Sequence, residues 1–254
     1  MSDDQEYPKN PDYGQGRFRR RIRLQAAGSQ VHAALEDCNH GFRCRIEHDG
    51  KRILRAEGTA VRVPFSTCPG AIEPLRALVG LPLQKDIQQY FSHIDASANC
   101  THLLDLALLA ARHALRGGER QLDITLEDQA GKEPAPAEIH INGDLVHRWM
   151  TLDWHITDPA PLAGNVLYKG FSDWANATFS GDEREAAFAL QKGYFVGNAR
   201  QYDLASLLGE RANTHDIMFD VCHTYSLPQR DHAVRTAGTV RDFSDCPEQL
   251  LEFK

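Results

Sequence analysis

Two short stretches combine nucleophilic and titratable side chains at spacings that suit acid–base or thiol chemistry. In Asn99-Cys100-Thr101-His102-Leu103, an Asn suited to capping a helix precedes a Cys in the first turn, where the helix dipole favours a thiolate. Cys100 and His102 are two residues apart and do not share a helical face, whereas His102 and Asp105 do. The spacing casts Asp105 as the group that orients His102 as an acid or base; the bland alternative is a hydrogen-bonded histidine at a helix start. In the second stretch, Arg62-Val63-Pro64 leads into Cys68-Pro69-Gly70-Ala71. A strand that stops and a helix that begins within a few residues expose backbone amides that can hold an anion or lower a thiol pKa. Cys68 is equally a small residue at a tight corner.

A third constellation depends on strand geometry. Read as one strand from Leu145 to Ile156, the chain carries Val146, Met150, Leu152, Trp154 and Ile156 on one face and His147, Trp149, Thr151, Asp153 and His155 on the other. Titratable groups beside an indole are what a sheet offers when it lines a ligand pocket. Asp153 and His155 would stand roughly 7 Å apart, as an acid–base pair or as two metal ligands. Two ligands without a third do not make a site, so no metal is expected. His215-Asp216 and Cys222-His223-Thr224-Tyr225 form a later polar cluster, and Arg235 with Arg241-Asp242 fits a structural ion pair or a substrate clamp. Tyr168, Trp174, Tyr194 and Tyr202 suit a pocket wall or a core.

These residues need elements to position them. From Phe18, apolar Phe18, Ile22 and Leu24 alternate with Arg17, Arg19, Arg21 and Arg23, giving a strand with a cationic face. Further alternating runs, with Asp49-Gly50 as a hairpin turn, predict an antiparallel meander. Helical periods follow over 71–79, 83–94 and 100–116, the last apolar around most of its circumference and therefore the buried central helix. Sheet pattern resumes at Leu122-Ile124-Leu126. Asn142-Gly143 marks a tight hairpin that should set Ile141 opposite Asp144, Ile139 opposite Val146 and Glu138 opposite His147. Ser180 and Glu183 read as the capping box of a helix through Leu190, and Phe195-Val196 and 219–225 read as extended. The fold class is α+β, an antiparallel sheet around a buried helix with further helices on one side. Residues 1–16 are expected as a tail and 17–254 as one domain.

Composition narrows the function. A net charge of −7 and a pI near 5.9 give no broad attraction to nucleic acid or anionic lipid. The start Met1-Ser2-Asp3-Asp4 lacks a cationic and apolar leader, and no Cys-x-x-Cys pair occurs, so a cytoplasmic protein with reduced thiols is expected. Oligomeric state, a homo-oligomer included, is not legible. The sequence has no Gly-x-Gly-x-x-Gly, phosphate-loop, Gly-x-Ser-x-Gly or His-Glu-x-x-His motif, which argues against dinucleotide, nucleotide, lipase and zincin chemistry and for a protein without cofactors.

Arg62-x-Pro64, Cys68-Pro69-Gly70-Ala71, Leu78-Val79-Gly80-x-Pro82-Leu83, Cys100-Thr101-His102-Leu103 and the late stretch Arg235 to Ser244 together resemble a bacterial family catalogued as a domain of unknown function. The resemblance carries no catalytic residues. It implies a place in the catabolism of aromatic or polycyclic compounds, hence a small-molecule substrate. With no redox motif, the expected reaction is that of a cofactor-independent lyase: elimination, hydration, or retro-aldol carbon–carbon cleavage releasing a small aldehyde such as formaldehyde. The candidate bases are His102, His147, Asp153 and His155, with Arg62 or a Tyr for the oxyanion. Trp149, Tyr168, Trp174, Tyr194, Cys68 and Cys100 are the candidate substrate-binding residues. A hydrophobic-ligand binding protein and a thiol or thioester hydrolase, the latter on an analogy to hot-dog-type folds, are the competing readings.

Overall fold

The computed structural model describes residues 7–214 and 216–253; residues 1–6 of the expected tail and His215 lie outside them. Four strands come first: β1 (Arg17–Ala27), β2 (Gln30–Asp37), β3 (Gly41–His48) and β4 (Ile53–Arg62). Helix α1 (Thr101–His113) follows, then β5 (Gly118–Glu127), β6 (Ala135–Ile141), β7 (Asp144–Leu152) and β8 (His155–Asp158), and finally α2 (Phe171–Thr178) and α3 (Gly181–Gly197). Among the described residues these eight strands form one open antiparallel sheet in the order β4-β3-β2-β1-β5-β6-β7-β8. The fold is α+β. It consists of two meanders joined edge to edge, because β5 pairs with the free side of β1 and sets Ile22 opposite both Leu35 and Leu122.

The alternation of β1 explains its central place. Phe18, Ile22 and Leu24 are buried on the face that carries both long helices. On the other face, Arg21 pairs with Asp123 and Arg23 donates to Gln121 across to β5. Helix α1 packs over β1–β3 and α3 over β5–β7, with α2 against α3. Leu103, Leu106, Ala107, Leu108 and Ala110 of α1 are fully buried, so its apolar circumference is used against sheet and loops alike. Close approach of α3 to the sheet depends on Gly197, where an added Cβ would lie 2.6 Å from Leu126 Cδ1 and 3.1 Å from Phe18 Cγ.

Several expectations are corrected. Residues 7–16 lie along the fold, where Lys9 bridges to Tyr202 and the Asn10 amide donates to the Gln201 carbonyl. Backbone pairing of this kind supplies the ordering that their few apolar side chains cannot. The run 83–94 contains only a 3-10 turn, Ile87–Tyr90, because Arg52 bridges Pro82 and the Leu83 amide donates to the Lys51 carbonyl, keeping the entry extended along β4. The run from Cys68 to Leu78 is likewise 3-10. Helix α3 continues to Gly197, taking in Phe195 and Val196, and Ser180 makes no side-chain capping bond. Residues 219–225 turn instead of extending, with a 3-10 turn at His223–Tyr225.

The most consequential correction is in the second meander. Ile141 faces Asp144 as expected, but the register shifts between Ile139 and His140, so that Ile139 faces His147 and Glu138 faces Arg148. A one-residue bulge turns every later side chain over. His147, Trp149 and Thr151 therefore point into the core and are buried, while Met150 and Leu152 are half-buried on the outer side and Val146, the extra residue of the bulge, packs against the core edge. The strand also ends early. Asp153 (φ 45°) and Trp154 (φ 69°) are both left-handed and form the turn between β7 and β8.

Candidate functional site

A cleft runs between α1 and α3 above β1 and β2. Its cavity volume is about 50 Å³, and it opens to solvent. Helix α1 contributes His102, Asp105, Leu109 and Arg112, spaced along one side, and α3 contributes Arg184, Glu185, Phe188, Ala189 and Lys192. Arg20, Ile22 and Leu35 form the floor, and residues 85–88 close over the top. Two ion pairs span the cleft, Lys192 with Asp105 and Arg112 with Glu185 (2.8 Å). Position 105 thus meets 192 and position 112 meets 185, so the helices run antiparallel.

His102 sits on this cleft, and its chemistry is set by what lies behind it. Its ring stacks on His40, with centroids 3.9 Å apart and planes inclined by 23°. His40 in turn donates from Nδ1 to Asp37 Oδ1 (3.2 Å). Asp37 is fully buried; its Oδ1 also accepts the amides of Asn39 (2.8 Å) and His40 (2.9 Å), and its Oδ2 accepts Arg20 Nε (3.0 Å) and Nη2 (2.6 Å). Burial alone would raise this carboxyl, but the Arg20 guanidinium and His40 outweigh it and hold Asp37 well below the usual carboxylate range. His102 is half-buried, and desolvation, with His40, Arg20 and Lys192 nearby, pushes its imidazole well below the ordinary value of 6.5 against the pull of Asp37. The shift favours the neutral imidazole.

Asp37, His40 and His102 offer ligand atoms within 4.8 Å of one another, which invites a test as a metal centre. The donor set does not fit. Both Asp37 oxygens are taken up by five donors, and a metal must lie in the plane of each imidazole it binds, whereas stacked rings send their lone pairs side by side. The cluster instead fixes the His102 ring in place, through its stack on a His40 that is tied to the Asp37–Arg20 pair.

Arg62, expected at the oxyanion, is buried behind the cleft. It donates to the carbonyls of Cys38 (3.1 Å), Asp37 and His40 (3.2 Å), reaches Thr239 O, and pairs with Glu36 (3.1 Å). Its two terminal nitrogens are committed to the 36–40 segment and Thr239, while its Nε is buried without a partner, so Arg62 is a positioning residue. Asp105 does not orient His102, because Lys192 claims it. Burial pushes both Cys100 and Cys68 up, away from thiolate, and Cys100 Sγ lies 4.0 Å from His102 Nδ1. Cys68 Sγ lies 3.3 Å from Thr224 Oγ1 at a packed corner.

Residues 18–116 match a family model described as Protein of unknown function (DUF2889). That span, under half of the 254-residue chain, runs from β1 to just past α1 and holds Arg20, Asp37, His40, Arg62 and His102. No curated protein matches the chain. The wall supplied by α3 lies outside the matched span.

The remaining expected site residues are dispersed. His147 donates from Nε2 to the Glu183 carbonyl (2.8 Å) and packs between Trp149 and Phe179; burial lowers its pKa although that bond raises it. Trp149 is a core residue against Phe171. His155 is exposed and donates from Nδ1 to the Asp153 carbonyl (2.8 Å) within the β7–β8 turn. Tyr168, at 58% exposure, and Tyr194 pack on Trp154, and Trp174 packs on Phe171 and Phe179. None of these lines the cleft. The sequence reading missed Arg20, Asp37, His40 and Lys192. A signal for the first was present: Arg20 shares parity with Phe18, Ile22 and Leu24, and a charge on an apolar face calls for a buried partner.

Proposed function

We propose that the protein is a non-redox lyase of aromatic or polycyclic catabolism, acting on a hydroxylated small molecule in the cleft with His102 as proton acceptor. The observation that carries this reading is a neutral imidazole on a cleft whose adjoining side chains, Arg20 and Lys192, are cations. A neutral base next to fixed positive charge suits removal of a hydroxyl proton, since the oxyanion that develops meets preorganised charge. In the retro-aldol form, His102 takes the O–H proton and the O–H pair becomes the new C=O bond. The adjoining carbon–carbon bond breaks with its pair on the leaving carbon, and the proton returns there from His102, giving an aldehyde and a shortened product. Motif resemblance supports the aromatic substrate class, and the apolar side chains Ile22, Leu35, Leu109 and Phe188 suit its rings. That apolar lining also favours a second reading, a carrier that binds such a compound without changing it.

Turnover separates the two. Wild-type protein given a panel of hydroxylated aromatic compounds should yield an aldehyde or dehydrated product, and His102→Gln should lower the rate by about 10²–10⁴-fold while His155→Gln leaves it unchanged. Equal rates for wild type and His102→Gln would overturn the lyase reading, and binding without product would favour the carrier.

A further inference from the structure

We propose that the compound taken by this cleft carries a carboxylate, received by Lys85 and Arg184 at the end remote from His102. The inference rests on the reading of the cleft as the substrate site and adds the substrate's charge and length.

The charge balance points to an anion. In a protein of net charge −7, the cleft lining holds five cations, Arg20, Lys85, Arg112, Arg184 and Lys192, against three carboxylates, and with Arg20 matched by Asp37 beneath it the lining keeps one positive charge in excess. A cleft whose charge opposes that of the whole molecule concentrates ligands of the other sign. The cations are unequally engaged. Lys192 is tied to Asp105. Arg112 shares Glu185 with Arg116 (3.4 Å) and Arg120 (2.7 Å), both of which also pair with Asp182, so two carboxylates serve three guanidinium groups. Arg184 reaches Asp86 only at 3.6 Å. Lys85 makes no ion pair with any described residue. A single carboxylate matches one free ammonium and one loosely held guanidinium better than a phosphate dianion does.

Position along the helices fixes the length. Arg184 adjoins Glu185, which pairs with Arg112 near the end of α1, whereas His102 and Lys192 lie at the other end. Ten residues of helical rise separate positions 102 and 112 by roughly 15 Å, less the inward reach of the side chains. Leu109 and Phe188 fall between these ends. The arrangement suits an elongated ligand lying along the open cleft with its acid group at one end and its reactive hydroxyl at the other.

Calorimetric titration of 2-naphthoate, 2-naphthol and 2-naphthyl phosphate at pH 7 tests this on the full chain. Wild type should bind the naphthoate at least tenfold tighter than the uncharged naphthol and no weaker than the phosphate. Lys85→Gln and Arg184→Gln, both at solvent-accessible side chains, should each remove five- to tenfold of that preference without changing naphthol binding, and His102→Gln should keep it. Equal affinity for naphthol and naphthoate, a preference untouched by either substitution, tenfold stronger phosphate binding, or no binding of any of the three would overturn the proposal. Loss of turnover in His102→Gln with no carboxylate preference would leave the lyase reading standing alone. Carboxylate preference with undiminished turnover in His102→Gln would do the reverse.

Discussion

A guanidinium on the apolar face of a strand has to be paired, and the pairing of Arg20 with Asp37 is what gives the neighbouring histidines their character. Both partners are buried, at 4% and 0% exposure, and Asp37 uses its other oxygen to fix the 37–40 turn. Replacing Arg20 with Met keeps the length of the side chain and strands a buried carboxylate. The expected loss is about 3–5 kcal/mol of stability, read as a lower urea midpoint at unchanged slope; a loss under 1 kcal/mol would show that Asp37 is not held as described. His102 was legible as a chemical candidate because its helix start was legible. Its partners were not, since Asp37 and His40 are sixty residues away in sequence and only tertiary packing stacks them. The preference for Asp105 relied on helix spacing alone, which has no means of registering that α3 would bring Lys192 to the same carboxylate.

Elements were read best where periodicity was long and unbroken. Helix α1, the first meander and β5 stand close to where the pattern puts them. The failures cluster where one residue changes the outcome. The bulge at Ile139/His140 reversed the faces of β7 and moved a supposed ligand-facing row, His147, Trp149 and Thr151, into the core. Nothing in local alternation marks such an inserted residue, because both faces of β7 carry apolar side chains. Close packing of α3 is a second element-scale feature. At Gly197, alanine would ordinarily add helix propensity worth about 1 kcal/mol, but its Cβ would press on Phe18 Cγ at 3.1 Å and Cβ at 3.2 Å, atoms close to the backbone that yield little. Gly197→Ala is expected to destabilise by about 1–3 kcal/mol in chemical denaturation. A gain in stability would mean that the helix is free to lift from the sheet.

At the scale of the molecule, two four-stranded meanders meet at β1 and β5, each carrying one long helix, and the cleft is the seam between those helices. The catalytic candidate comes from the first half and the opposing wall, Arg184 to Lys192, from the second. A site assembled from both halves explains why no single motif in the chain spells it out. The family match over residues 18–116 takes in His102, Arg20, Asp37 and His40, and the α3 wall lies beyond it. No helix of the described residues is long and apolar enough to cross a membrane. Everything functional rests on His102 being an uncharged imidazole exposed to that seam. The direct measurement is a histidine-resolved NMR titration, with and without 2-naphthoate. Burial and the cations around the ring lower its pKa, so the His102 resonances should stay those of a neutral ring from pH 8 down past 6.5 and should shift when the ligand is added, while those of His155, outside the cleft, should not respond to ligand. A His102 that takes up its proton at pH 6.5 or above, or that ignores the ligand while His155 responds, would contradict this account.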